Sequence, residues 1–151
     1  VEDEDNNHRM YYITTKDFKT FTPAKLFLDP GFSVIDAVIV QQAAGKYVLV
    51  LKDNTRPERD IKVAFGKQAT GPFTNVSAAF TPLFSEGPSV TKVNNEWLIY
   101  FDAYREKYYG AVRPKDFKTF TDISDQVHLA LGHKHGTIVK VPASVIDTLL
   151  H

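Results

Sequence analysis

An all-β fold, built as successive blades of a propeller, is what this sequence predicts, on three observations. Strand periodicity runs through nearly the whole chain, and helical periodicity through almost none of it. The heptamer KDFKTFT occurs twice, at 16–22 and 115–121, identical at all seven positions and 99 residues apart. A phenylalanine–threonine unit recurs in phase at Phe21, Phe73 and Phe120, at spacings of 52 and 47. A period of about 50 residues with about four strands per repeat belongs to propeller blades.

Taken in order, alternating or continuous apolar runs predict strands over 9–15, 34–41, 46–52, 61–66, 88–93, 96–103, 107–113 and 136–141. Turn chemistry separates them: AAGK at 43–46, TGPF at 70–73 and NNE at 94–96. The heptamer reads as the outermost edge strand of a blade and its exit. Its Lys and Asp would blunt an open sheet edge, and its two phenylalanines would tuck against the neighbouring blade. The tail PASVIDTLLH reads as a short helix, with Pro142 near its start, Ser144 as a cap and Val145, Ile146, Leu149 and Leu150 on one face. A β-sandwich would also have many short strands; the alignment in phase across three units favours the propeller.

Length and composition suit one domain over residues 1–151. Eighteen basic and eighteen acidic residues cancel, which removes the electrostatic reason to expect a nucleic acid or an anionic membrane as partner. The longest apolar run, 34–40, is broken by Asp36 and is far too short to span a bilayer. With no cysteine, disulfides and thiolate chemistry are excluded. The start, VEDEDNNHR, has no Met and no apolar leader, so the chain is expected to be processed, trimmed or partial.

If the phasing holds, the inner strands align as VIDAVIV, SEGPSVTKV and HKHGTIVKV, bringing Asp36, Glu86 and His135 into register at spacings of 50 and 49. Inner strands line a propeller's axis, so these three side chains are expected to meet at one pole. Singly each has a plain explanation: a paired carboxylate in an apolar strand, a loop glutamate before Gly87-Pro88, a core imidazole. Together, two carboxyls and an imidazole supply the means to raise one carboxyl pKa while the other stays ionised.

At these residues the chain resembles glycoside hydrolase family 43. IDAVIV, SEGPSV, WLIYFDAYREKYYGAVRPKDFKTFTD and HKHGTIVKV are similar to the second half of such enzymes, over most of the chain. The resemblance implies a five-bladed β-propeller, of which this chain holds about three blades' worth as a C-terminal portion, and inverting hydrolysis of arabinose- or xylose-containing plant-type glycosides without a required cofactor. It implies Glu86 as general acid and Asp36 as the residue that orients it and raises its pKa. The family's water-activating aspartate would lie upstream of Val1; Asp3, Asp5 and Asp29 match no base motif. It also implies export, and a complementary N-terminal half, or self-association, to cover the open edges.

Around this centre, KDNTRP at 52–57 and DAYREK at 102–107 fall in loops flanking the axis. Arg56, Tyr104 and Arg105 are candidate sugar contacts beside His135. Trp97 reads as core packing. His133 and His135 would share a strand face, but without a clustered carboxylate they make a weak transition-metal pair, and no metal ligand set is expected. The resemblance leaves room for a central structural ion, calcium or similar, near His135.

Overall fold

The computed structural model describes residues 7–129 and 132–150; Asp3 and Asp5 lie outside them. Three antiparallel sheets follow one another along the chain, none closed on itself. The first pairs β1 (Met10–Tyr12) with β2 (Lys25–Leu28). The second is a meander of β3 (Val34–Ala43), β4 (Lys46–Asp53), β5 (Ile61–Gly66) and β6 (Phe73–Thr74). The third repeats it with β7 (Ser85–Val93), β8 (Glu96–Ala103), β9 (Tyr108–Pro114) and β10 (Phe120–Asp122). A 3-10 turn (Ser124–Gln126) and the helix α1 (Ala143–Leu150) follow.

The strand β4 explains why the sheets stack. Its run VLVLK is buried on both faces, and strand side chains alternate in direction. Val48 and Val50 join Ile61 and Val63 against Ile99, Phe101, Val112 and Phe117 of the third sheet. Leu49 and Leu51 join Val34, Ala64 and Phe73 against Met10 and Leu28 of the first sheet on the other side. The middle sheet is thus the filling between two others, which a strand apolar on one face only could not provide. Trp97 packs partly buried on the first of these cores, as expected. The hairpin from β7 to β8 turns on Asn94 and Asn95, both at positive φ (47° and 66°), the two-residue conformation that matches strand twist.

Several expected elements take another form. The heptamer is a turn before it is a strand. Asp17 Oδ1 accepts from the backbone N–H of Lys19 and Thr20 at 2.9 and 2.8 Å, and Asp116 Oδ1 accepts from Lys118 and Thr119 at 2.9 and 3.0 Å. A short carboxylate that bonds its own downstream backbone favours a turn over extended chain. Only the exit of the second copy, β10, is an edge strand.

The expected strand over 136–141 has no strand partner among the described residues and takes no regular structure. It is held instead by the Ile138 N–H, which donates to Ser89 Oγ at 3.1 Å. Helix α1 begins at Ala143, so Ser144 lies inside its first turn instead of capping it. Val145, Ile146 and Leu149 stay exposed, so the apolar face of the helix is not part of either core. Among the described residues, no helix is long and apolar enough to cross a membrane.

Candidate functional site

The geometry of the site starts with two bulges. In β3 the pairing with β4 jumps from Ile35↔Lys52 to Val38↔Val50. In β7 the pairing with β8 jumps in the same way from Glu86↔Asp102 to Ser89↔Tyr100. Bulges bend a strand and re-aim side chains. Asp36 and Gly87 occupy the two bulges in the same left-handed conformation, with φ of 52° and 54°.

By register, therefore, Asp36 is the counterpart of Gly87, and Ile35 that of Glu86, one residue away from the alignment the sequence suggested. The cause is a further irregularity in β3, between Gln41 and Ala43, that β7 lacks. Asp36 and Glu86 are still neighbours. Asp36 Oδ2 accepts the Gly87 N–H at 3.1 Å, and the polar atoms of Asp36, Glu86 and His135 lie within 4.8 Å of one another.

Glu86 has both carboxylate oxygens engaged. Oε2 accepts from Lys52 Nζ at 2.8 Å, and Oε1 meets His135 Nε2 at 3.0 Å. Burial works to raise the Glu86 pKa, but the hydrogen bonds and charges of Lys52 and His135 outweigh it and hold the group below the ordinary glutamate range. That reverses the expected direction: Glu86 is kept ionised in this arrangement. The raised carboxyl is its cross-strand neighbour Asp102, which is 2% exposed and is pushed up first by burial and then by the charge of Glu86. Its Oδ2 has no hydrogen-bond partner among the described residues.

His135 rests on the backbone of Gly87. A Cβ built there would come within 2.7 Å of its ring, so any larger residue at 87 would push the imidazole from its place against Glu86. The segment carrying His135 is tied down by the Tyr109 hydroxyl, which donates to Gly136 O at 3.4 Å. His133 packs against Tyr109 with the rings near perpendicular and centroids 6.2 Å apart, whereas His135 meets Glu86. Asp36, Gly87, Pro88, His135 and Thr137 line an open hollow of about 270 Å³. A larger one, about 550 Å³ and lined by residues of β1 and β3, also includes Asp36 in its wall.

The remaining candidates spread out. Tyr104 lies close, its ring centroid 5.2 Å from Lys52 Nζ and edge-on to Phe84. Arg105 is committed to the Phe84 ring, with its guanidinium carbon 3.6 Å from the centroid. Arg56 is exposed in the loop after β4, followed by a cis peptide bond to Pro57. Asp36, Glu86 and His135 each offer one ligand atom, all within 4.8 Å of one another, a grouping that could hold a metal ion, although Glu86 is also paired with the Lys52 ammonium. Sequence reasoning missed Lys52 and Asp102. Their signal was a charge ending an apolar run, VLVLK and LIYFD, at matching places in two repeats.

With two carboxyls and an imidazole gathered on stacked meanders, the fold is one shared with a known hydrolase. The crystal structure of a glycosyl hydrolase from Bacteroides ovatus superposes with a TM-score of 0.55 and 17% identity, covering 76% of this chain and 40% of that one. The chain belongs to the glycosyl hydrolase 43-related family, described as "Probable glycosyl hydrolase domain", which matches residues 1–147. It spans 40% of the length of the Bacteroides structure it resembles. Among curated proteins, no sequence matches it.

Proposed function

We propose that this domain serves the hydrolysis of arabinose- or xylose-containing glycosides by an inverting acid–base mechanism. Glu86 delivers the proton to the leaving oxygen, Asp36 orients the Glu86–Gly87 turn, and the base comes from outside the Asp36–Glu86–His135 cluster. An inverting site needs that base about 6.5–9.5 Å from the acid, with room for water between. The observation that carries this reading is the convergence of three titratable side chains from β3, β7 and the 133–138 segment to within 4.8 Å.

Turnover of aryl glycosides by a Glu86→Gln variant tests it. A general acid contributes about 10²–10⁴-fold, so turnover is expected to fall by that order while sugar binding persists. Unchanged turnover rejects Glu86 as the acid. One observation favours a second reading, a carbohydrate-binding module without catalysis: the ionised Glu86, with both oxygens engaged. Sugar binding without turnover in the unaltered protein would decide for it.

The same proposal takes the three sheets as successive blades of a five-bladed propeller. The apolar face of Tyr11, Ile13, Phe18 and Phe21, exposed here, is then the seat of another four-stranded sheet. Phe18→Asp is expected to abolish association with that sheet in sedimentation. A monomeric, well-dispersed protein before the substitution would refute the seat, and self-association would assign it to a second copy.

A further inference from the structure

Lys52 is the next-to-last residue of β4, a strand buried from Val48 onward, and is itself 2% exposed. Lysine is almost never fully buried without a partner. Here the partner comes from a different sheet, 34 residues away: Glu86 Oε2 at 2.8 Å. The face of Tyr104 backs the ammonium at 5.2 Å. The opposite Glu86 oxygen, Oε1, faces His135 Nε2, and the Asp36 carboxylate holds the backbone next door through Gly87.

An ammonium has three donors and no acceptor. While Lys52 holds Oε2, that oxygen cannot carry a proton that points at the lysine. We propose that Lys52 is the positioning residue of this site: by occupying Oε2 it leaves Oε1, on the side of His135 and Asp36, as the oxygen through which Glu86 gains and gives up its proton. The inference rests on the acid reading of Glu86. The proton leaves Oε1 for the glycosidic oxygen, the carboxylate that remains is neutralised by the ammonium, and re-protonation from solvent restores the start.

Four charged or titratable groups face Glu86: Lys52 from β4, Asp36 from β3, Asp102 from β8 and His135 from the 133–138 segment. Among them Lys52 is the buried cation. Its removal is therefore expected to raise the titration of Glu86, because an opposite charge at this distance lowers a carboxyl by about 1–3 units.

The test is Lys52→Met, which keeps the length of the stem and removes the charge, in the protein that carries this domain. Two readouts are taken: the Glu86 side-chain carboxyl titration by carbon-13 NMR, and the pH profile of kcat/KM on an aryl glycoside. The carboxyl midpoint and the alkaline limb of the profile are expected to move up together by about 1–2 units. A Glu86 midpoint unchanged in a variant with native circular dichroism overturns the assignment. Should the Met variant fail to fold, Lys52→Gln carries the same comparison with a neutral donor. If neither protein turns over glycoside yet the midpoint moves, the hydrolase reading falls while the hold of Lys52 on Glu86 stands.

Discussion

The two copies of KDFKTFT have the same seven side chains and opposite fates. Phe117, third in the second copy, is 0% exposed and packs on Trp97 and the valines of the middle sheet; Phe18, its equivalent, is 86% exposed. Phe120 stacks on Phe80 with centroids 3.9 Å apart, while Phe21 is exposed. The same contrast extends upstream, where Val112 is buried and Ile13, 99 residues before it, is not. Local structure is nevertheless shared: both copies make the same Asp-capped turn, and Phe18 and Phe117 both sit at positive φ, 54° and 60°. The comparison separates what a short sequence does alone from what its neighbours supply. The turn is written in the heptamer; burial is conferred by an adjacent sheet.

The largest effect expected from this contrast is on stability. Phe117→Ala should cost about 3–5 kcal/mol, as for a large side chain deleted from a packed core. Phe18→Ala should stay within about 0.5 kcal/mol. Urea denaturation of the two variants measures both, and equal losses would break the comparison. Next comes the outer phenylalanine. Phe120→Ala forfeits an aromatic stack worth about 0.5–1.5 kcal/mol beyond its buried area, whereas Phe21→Ala has no such partner to lose among the described residues.

Replacing the turn carboxylates should sharpen the point, because here the copies agree. Asp17→Ala and Asp116→Ala are each expected to give a small drop in melting temperature, equal in the two within error. The smallest effect is the titration of these same groups. Backbone hydrogen bonds from Thr20 and Lys19 lower Asp17 to about 2, and those from Lys118 and Thr119 lower Asp116. A carboxyl depressed on folding stabilises above its unfolded value and loses that contribution as pH falls through its folded value. The first turn should thus stay capped until pH about 2, readable from the Asp17 carboxyl carbon by NMR.

Much of the fold could be read from residues alone. Strand period, turn residues and the recurring Phe-Thr units predicted seven of the observed strands to within a few residues, because each depends on contacts close in sequence. The expected strand at 136–141 failed for the converse reason: extended sequence becomes a strand only beside another strand. β2 went unpredicted because KLFL is too short to show a period. Asp36, Glu86 and His135 could be nominated from repeat spacing. Their actual register was set by a bulge near Gln42 that leaves no mark on spacing.

The sequence by itself determined an all-β chain with a repeating plan, its Asp-capped turns, and three polar residues placed to converge. Only the tertiary structure decided the charge state of Glu86 and the burial of one heptamer over the other. The physical reason is common to both. Turns are set by bonds a few residues long, but the Lys52–Glu86 pair and the pocket around Phe117 each join different sheets, through stacking no local segment encodes.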